Sequence, residues 1–591
     1  MIFPQTELRP QRQRNMLLLN ATARPFSVRE FFAESTPPYA ILSHTWGDGE
    51  VLFRDIQNGT CESKAGIGKV LGCCAMAASH GFEWVWIDTC CIDKSSSAEL
   101  TEAINSMFQW YRKAEVCYVF LSDLHPGDTT RGMRQCRWFG RGWTLQELVA
   151  PRRVEFFDVD WNYLGSRKEL SDLLGLSTGI PVPLLLGLKE LSTYSVARRM
   201  SWAAQRKTTR VEDLAYCLLG IFGVNMPLLY GEGSKAFLRL QEEIIRRNND
   251  MTIFAWRQPP VGDPKLKFDV TSILATSIAG FRDCGDIIRF RNDFDPMSLT
   301  SRGLLFSGDV PIRMVRPLFS PGQSQQYMVC TGHDTTVGDC SEGIVLAKIG
   351  PGVFCRCGSG RLLTLKAGPE TRRATGHGIK VFQQLGALDR YTDFHVLTDL
   401  KDWGFQASWY RNEGIHVPDD PALTIEKAVP HRLWDITHRV FLRPKPYSWH
   451  SPVRQILGLL ATYTILSRTF KVVIMCDYEI NPPVCGIRLP DHCPQKLLRA
   501  FEVTNTVNSI PWHEVWDGDR GKRTGNRYVD LSFGGRKIKI RVFLGRADYE
   551  MSTDPAQPLT PRTRSPYAGD HSSLPLELST YDIRLEVDEA G

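Results

Sequence analysis

The sequence of 591 residues lacks the features by which several large classes of protein are recognised. Lys and Arg do not gather into a long run, and neither a zinc-finger spacing nor an RNP-like motif occurs. The formal net charge of +6 is small for a chain of this length. The composition therefore gives no reason to expect a nucleic acid as a partner, and we predict none.

Long apolar runs are also missing. The segment MIFPQTELRPQRQRNMLLLN contains no apolar core of signal-peptide length. The most apolar segment elsewhere, 456–475, carries Arg468 and Lys471, and its uninterrupted apolar part is too short to cross a bilayer. We therefore expect a cytoplasmic protein without a membrane span. Its 16 cysteines should then stay reduced and be mostly small buried side chains.

Motifs for common cofactors are absent from the sequence as well. Neither GxGxxG nor GxxxxGK[ST] occurs, so a classical Rossmann dinucleotide site and a P-loop are not supported. Cys330, His333, Cys340, Cys355 and Cys357 lie in one stretch, but their spacing matches no strong zinc pattern. We predict no metal site and no bound cofactor.

Short apolar runs alternate with helical patterns between residues 39 and 159. The strand-like runs are YAILSH (39–44), WVWID (84–88), VCYVFL (116–121) and VEFFDV (154–159). Between them, apolar residues recur at three- and four-residue spacing, and Ser96 with Glu99 forms a capping-box pattern at the start of one helix. This alternation predicts an α/β domain with a parallel sheet and helices on both faces.

The remainder of the chain changes character along its length. Residues 161–258 show helical spacing and are predicted to form a helical extension. Residues 259–550 are rich in Pro and Gly and contain alternating runs, which predicts a mostly β, sandwich-like region of unknown role. Residues 551–575, rich in Pro, Ser and Thr, are predicted to be a flexible linker, and 576–591 a last strand or tail.

Polar residues follow the predicted strands where an α/β sheet places its sites. Ligands of open α/β sheets bind outside the carboxyl ends of the strands. Ser43, His44, Thr45 and Trp46 follow the first strand, and Asp88 closes the second. For His44 and Asp88 a structural role is the alternative, because such residues also fix loops and cap turns.

Four blocks of the sequence resemble the fungal heterokaryon incompatibility (HET) domain and the helical segment that often follows it. The blocks are PPYAILSHTWGDGEVLFRDI, WVWIDTCCIDKSSSAELTEAINSMFQWYRKAEVCYVFLSD, RGWTLQELVAP and MPLLYGEGSKAFLRLQEEIIR. The resemblance covers roughly residues 16–255 and implies a HET domain at 16–160. HET-domain proteins are associated with non-self recognition and programmed cell death. The family in turn distantly resembles TIR domains, which have a flavodoxin-like sheet and in some cases cleave NAD.

The TIR resemblance singles out one acidic residue. The TIR motif with the catalytic glutamate runs Trp-Cys-Leu-x-Glu-Leu on a helix after the third strand. Residues 143–148, Trp-Thr-Leu-Gln-Glu-Leu, have the same register, with Thr144 at the cysteine position. The resemblance thus implies that Glu147 is catalytic. The alternative interpretation of Glu147 is a solvated helix carboxylate. The residues expected to bind the substrate are Ser43, His44, Thr45, Trp46, Asp88 and Trp143.

Two functional hypotheses follow from the resemblance. In the first, the protein hydrolyses NAD with release of nicotinamide, self-associates on activation and thereby drives cell death. One carboxylate suffices for this chemistry, because it can stabilise the positive charge that develops on the ribose. In the second, the domain is a non-catalytic signalling module that acts by self-association or by recruiting a partner. In either case the region from 260 onward is a candidate surface for a protein partner.

Overall fold

A computed structural model of the chain forms two compact units, which we describe separately. The first unit comprises Met1–Pro259, Leu274–Asn292 and Thr331–Asp339, and the second comprises Pro260–Ile273, Asp293–Cys330 and Cys340–Gly591. The structure describes residues 16–32, 35–128, 130–257, 270–289, 297–301, 303–306, 310–317, 326–334, 340–350, 353–357, 363–366, 382–384, 389–391, 394–396, 398, 414–417, 420–429, 434–435, 439–442, 456–465, 467–477, 484–493, 495–502, 528–533, 536–546 and 580–590. The predicted linker at 551–575 lies outside these residues.

A seven-stranded sheet organises the first unit. Its strands are β1 (Met16–Asn20), β2 (Val28–Phe31), β3 (Tyr39–His44), β4 (Trp84–Trp86), β5 (Val116–Phe120), β6 (Val154–Phe157) and β7 (Tyr163–Ser166). The order in space is β2-β1-β4-β3-β5-β6-β7. The pairs β4–β3, β3–β5 and β5–β6 are parallel, whereas the pairs involving β1, β2 and β7 are antiparallel. The predicted parallel α/β sheet is confirmed, and antiparallel strands that were not predicted extend both of its edges.

Helices alternate with the four parallel strands. They are α1 (Phe53–Asn58), α2 (Ile67–Ser79), α3 (Ser97–Lys113), α4 (Thr130–Gln135) and α5 (Thr144–Val149), with 3₁₀ turns at Cys61–Ser63 and Arg137–Gly140. Every residue of β3 and β5 is buried, because strands covered on both faces need apolar residues throughout. Helix α3 begins after the predicted cap, where Ser96 accepts a hydrogen bond from the Glu99 N–H. The Glu99 carboxylate accepts from the Asp93 N–H instead of completing a capping box.

The segment after β7 is helical, as predicted. It contains α6 (Ser171–Thr178), α7 (Val182–Leu185), α8 (Val196–Ser201), α9 (Asp213–Tyr216), α10 (Leu219–Phe222) and α11 (Lys235–Arg247). Shorter elements of this unit are 3₁₀ turns at Leu191–Thr193, Met251–Phe254 and Ile278–Phe281 and a strand at Ile287–Ile288. Helix α11 is amphipathic and buries one apolar stripe that includes Phe237, Leu240 and Ile244. We refer to residues 167–257 as the helical extension.

The later part of the chain is mostly β structure, as predicted. Its strands are Val270–Thr271, Met297–Thr300, Gly303–Phe306, Val310–Pro317, Gln326–Asp334, Cys340–Gly350, Val353–Cys357, Leu363–Lys366, Phe382–Gln384, Asp389–Tyr391, Phe394–Val396, Gly414–His416, Leu423–Val429, Trp434–Asp435, Val440–Leu442, Ile456–Ile465, Arg468–Asp477, Val484–Arg488, Tyr528–Phe533, Arg536–Arg546 and Thr580–Ala590. A helix at Gln495–Glu502 follows a 3₁₀ turn at Pro490–His492. The apolar segment 456–475 lies in two paired antiparallel strands. Within the described ranges, no helix has the length and apolar character needed to cross a membrane.

The described cysteines are mostly buried free thiols, as predicted. Burial raises the pKa of Cys73, Cys90 and Cys117 well above the ordinary thiol value, which disfavours the reactive thiolate. The prediction of reduced thiols is wrong for Cys476 and Cys485, which face each other on neighbouring strands and form a disulfide. The residues that the structure describes include no group of three or more His, Cys, Asp or Glu arranged to hold a metal ion.

Candidate functional site

The order of the parallel strands creates a crevice at the carboxyl end of the sheet. From β3 the chain continues to β4 on one side, whereas β5 and β6 lie on the other side. Such a switch point is where open α/β sheets bind their ligands. Thr45 after β3 and Ser122 after β5 approach across it, with 3.2 Å between their hydroxyl oxygens. The candidate residues at 43–46 therefore lie where this architecture places a site.

Glu147 is brought to this crevice from helix α5. The Ser43 hydroxyl donates a hydrogen bond of 2.5 Å to Oε2 of Glu147, and Trp138 Nε1 donates one of 2.8 Å to Ser43 Oγ. Glu147 is only 7% exposed. The interpretation of Glu147 as a solvated helix carboxylate is therefore wrong. Its side chain belongs to a buried hydrogen-bonded chain beneath the end of β3.

Burial changes the ionisation of Glu147. It raises the pKa of the carboxyl to about 8, an effect that the hydrogen bond from Ser43 opposes and the negative charge of Asp88 reinforces. Arg141 and Arg206 act in the opposite direction, because a nearby positive charge favours the carboxylate. At pH 7 the carboxyl is thus mostly protonated. A cation next to it would promote its ionisation.

A second cluster of polar side chains surrounds His44. Trp46 Nε1 donates a hydrogen bond of 2.8 Å to Oδ2 of Asp88. His44 Nε2 lies 3.7 Å from Oδ1 of Asp88 and 3.8 Å from Oε2 of Glu50, which is too far for hydrogen bonds. Burial lowers the pKa of His44 to about 4, so its ring is neutral at pH 7 and forms no ion pair.

Several buried polar atoms of this group have no hydrogen-bond partner among the described residues. They are both ring nitrogens of His44, Oδ1 of Asp88 and Nζ of Lys94. Buried polar atoms in proteins are nearly always paired with protein groups or ordered water, so each exception needs an explanation such as a water, an ion or a catalytic role. Their convergence at the switch point indicates a place for a polar ligand.

Two cationic side chains lie close to the indole ring of Trp46. Lys94 Nζ lies 3.5 Å from its ring centroid and Arg141 Cζ lies 5.6 Å from it. Trp46 remains 39% exposed, so part of its surface is open for stacking. Partial burial of Lys94 lowers its pKa, although Asp88 opposes that effect. The site thus combines an aromatic surface with positive charge.

The loop after Trp46 is organised by Glu50. Its Oε1 accepts hydrogen bonds of 2.7 Å from the Gly47 N–H and 2.6 Å from Lys69 Nζ. Gly49 has a φ of 71°, a conformation that favours glycine. Glu50, Lys69, Lys94, Trp138 and Arg141 were not predicted as site residues. Glu50, Lys94 and Arg141 stand within the blocks that resemble the HET domain, whereas Lys69 and Trp138 lie outside them.

Trp143 has a different environment from the other predicted residues. It is half-buried before α5, and its indole opposes the effect of burial that raises the pKa of Asp213 at the start of α9. Trp143 therefore connects α5 with the helical extension. The structure pairs Ser43 with Glu147 and places His44 next to Asp88, with Thr45 and Trp46 at the same strand end.

Comparison with known proteins finds matches to parts of this chain. Residues 39–137 match the model of the family described as Heterokaryon incompatibility protein (HET). The chain is also 51% identical over 219 residues to Vegetative incompatibility protein HET-E-1 of Podospora anserina. The chain contains a HET domain. Residues 235–299 match a second model, described as a domain of unknown function.

The matches have definite limits. The alignment with the Podospora protein covers 35% of this chain and 16% of that relative. The HET family model ends at residue 137, before Arg141 and Glu147. No solved structure matches the chain. The family model therefore does not include helix α5, which carries Glu147.

Proposed function

We propose that the HET domain hydrolyses NAD with release of nicotinamide, and that the protein acts in this way in non-self recognition and cell death. The observation that carries the proposal is the placement of Glu147. Its carboxyl group is buried at the switch point, accepts a hydrogen bond from Ser43 and belongs to the same electrostatic environment as Asp88. The similarity to a vegetative incompatibility protein of Podospora anserina supports such a role.

The reaction needs one well-placed carboxylate. The bond between C1 of the ribose and the nicotinamide nitrogen breaks, and its electron pair neutralises the positively charged ring. The leaving group therefore needs no general acid. The ribose develops oxocarbenium character, which a carboxylate can stabilise. Addition of water to the ribose and loss of a proton give ADP-ribose as the second product.

Protonated Glu147 is compatible with this role because the substrate is a cation at its reacting end. The positive nicotinamide ring next to the carboxyl would lower its pKa, so substrate binding and ionisation of Glu147 favour each other. Ser43 donates to the carboxylate and is itself held by Trp138. These hydrogen bonds orient the carboxylate before the reaction begins.

The second part of the substrate also has a match in the site. The two phosphates of NAD are negative, and Lys94 and Arg141 bring positive charge to Trp46. An aromatic surface next to cations suits a flat base attached to phosphates. Thr45 and Ser122 add hydroxyl groups at the crevice. We assign these residues to substrate binding and Glu147 to catalysis.

The test is nicotinamide release by the purified full chain, at protein concentrations that permit self-association. Glu147→Gln should reduce the rate at least about 100-fold, the usual effect of removing one stabilising group at a developing charge. Glu155→Gln is the matched control, because Glu155 is a buried glutamate on β6 that pairs with Arg153. Activity that survives Glu147→Gln would refute the assignment. A wild-type chain without activity at any concentration would refute the enzymatic proposal.

A non-catalytic signalling module is the second candidate. The hydrogen bonds around Glu147 favour this candidate, because they satisfy a buried polar group and would stabilise the fold even if Glu147 had only a structural role. Expression of Glu147→Gln in cells separates the two. Cell death that persists with unchanged NAD levels indicates signalling by self-association or through a partner.

A further inference from the structure

Helix α5, which carries Glu147, is too short to hold its own position. It has six residues, whereas isolated helices below about 12–15 residues are marginal in water. Its place must therefore be set by contacts with other elements. Two buried arginines from later in the chain make such contacts, one at each end of the helix.

Arg206 holds the beginning of α5. Its Nη1 donates hydrogen bonds of 2.9 Å to the Arg141 carbonyl and 2.9 Å to Thr144 Oγ1. Its Nε donates to the Trp202 carbonyl at 3.1 Å, next to the end of α8. Arg206 is 6% exposed. One guanidinium thus connects the helical extension to the first turn of α5.

The backbone next to Arg206 strengthens this connection. The Lys207 N–H donates to the Gly140 carbonyl at 2.7 Å, and the Gly142 N–H donates to the Lys207 carbonyl at 2.8 Å. A Cβ atom on Gly142 would lie 2.5 Å from Cγ2 of Thr208, so only glycine permits this approach. The segment before α5 is therefore paired with the extension through a parallel β-bridge between Arg141 and Lys207.

Arg167 holds the opposite end of α5. Its Nη1 donates to the Leu148 carbonyl at 2.7 Å and its Nη2 to the Arg152 carbonyl at 3.2 Å. Carbonyl groups at the end of a helix lack intrahelical partners, and a cation there is favourable. The helix is thus fixed at its two ends by side chains that lie beyond the matched HET segment.

We propose that Arg206 is a positioning residue for Glu147, and that the helical extension thereby determines the geometry of the candidate site. The inference rests on the proposed role of Glu147. Arg206 does not contact the carboxyl through any hydrogen bond in the described part of the chain. It fixes the turn from which Glu147 reaches Ser43, and a short hydrogen bond between those side chains tolerates little movement of α5.

The experiment compares three variants of the full chain. Arg206→Met removes both the charge and the hydrogen bonds. Arg206→Lys keeps the charge, but a single ammonium cannot reproduce the fork that spans three acceptors. Arg199→Met is the matched control, because Arg199 is a buried arginine of α8 that donates to the Ile221 carbonyl instead of to α5. Circular dichroism checks folding, and Arg206→Lys decides the question if Arg206→Met does not fold.

Two readouts are combined. The first is kcat and KM for nicotinamide release. Arg206→Met should lower kcat at least about tenfold and change KM less than about threefold, since small misplacements of a catalytic group mainly affect the chemical step. The second is the infrared carbonyl band of protonated Glu147, assigned with Glu147→Gln and followed against pH. Its midpoint should move upward in Arg206→Met, because a positive charge near the carboxyl is lost.

Arg206→Lys should keep the infrared midpoint close to that of the wild type while kcat remains reduced. The other groups that influence or are influenced by the charge of Glu147 stay in place: Ser43, Asp88, Tyr111, Cys117, Arg141 and Cys217. The proposal is overturned if Arg206→Met leaves both kcat and the midpoint unchanged, or if Arg199→Met produces the same losses. If the wild type releases no nicotinamide, the enzymatic proposal fails, and the infrared titration still decides the role of Arg206.

Discussion

Replacing Glu147 by glutamine should stabilise the first unit against unfolding. Burial raises the pKa of this carboxyl from 4.5 to about 8. Between these two pH values the folded chain holds a proton that the unfolded chain has released. The free energy of unfolding therefore falls as the pH rises through this window. Glutamine never ionises, and its amide oxygen still accepts a hydrogen bond from Ser43.

The size of the effect follows from the two pKa values. Each pH unit between them changes the unfolding free energy by about 1.36 kcal/mol. The unfolding free energy of the wild type is thus about 3 kcal/mol lower at pH 7 than at pH 4.5. The decrease approaches about 5 kcal/mol at pH 8 and above. Glu147→Gln should recover an amount of this order at neutral pH and little at pH 4.

The assay is urea unfolding of the full chain at pH 4, 7 and 8, with hydrogen exchange of the β3 and β5 amides to identify the first unit. Glu212→Gln is a control of opposite sign. Glu212 accepts hydrogen bonds from the Gly231 and Gly233 N–H groups. Hydrogen bonds from its own N–H and from these two groups hold its pKa below the usual range. Its ionised form stabilises the fold above the unfolded pKa, and this contribution is lost as the pH falls.

The unfolding free energies of the two variants can refute this prediction. If Glu147→Gln is no more stable than the wild type at pH 7, or if the difference does not grow from pH 4 to pH 8, Glu147 is not held protonated by burial. Glu212→Gln should be destabilised at neutral pH, and its difference from the wild type should shrink below about pH 4. Equal behaviour of the two variants would also contradict the argument.

Three further predictions concern the candidate site. The ionised form of Glu147 is the proposed catalytic form, so kcat/KM for NAD should rise with pH up to about 8 and then level off. A profile of kcat/KM that is flat between about pH 6 and 9 contradicts this prediction. Ser43→Ala removes a hydrogen bond that favours the carboxylate, so the rising part of that profile should move to higher pH, and a shift to lower pH would count against the assignment. Trp46→Phe keeps an aromatic ring but removes the donor to Asp88, so KM should increase several-fold with a smaller change in kcat; equilibrium binding of NAD measures the same loss, and unchanged affinity argues against a substrate contact.

Much of the α/β architecture could be predicted from local sequence patterns. The runs at 39–42 and 116–120 are continuously apolar because both strands are covered on both faces, and they lie in strands of the structure. The short strands β2 and β7 were missed because exposed edge strands have no such pattern. Arg468 and Lys471 also interrupt the apolar run at 456–475, which lies in two paired antiparallel strands in the structure.

The sequence by itself determined the class of the first unit, the strand ends that bear polar residues and the register that singles out Glu147. Only the tertiary structure decided what surrounds that carboxyl. Ser43 is separated from Glu147 by 104 positions, Trp138 from Ser43 by 95, and Arg206 from Thr144 by 62. No local pattern encodes such pairs, because they depend on which strands become neighbours and on how deeply the site is buried. Burial in turn sets the ionisation of Glu147 and His44, and with it the chemistry that the site can perform.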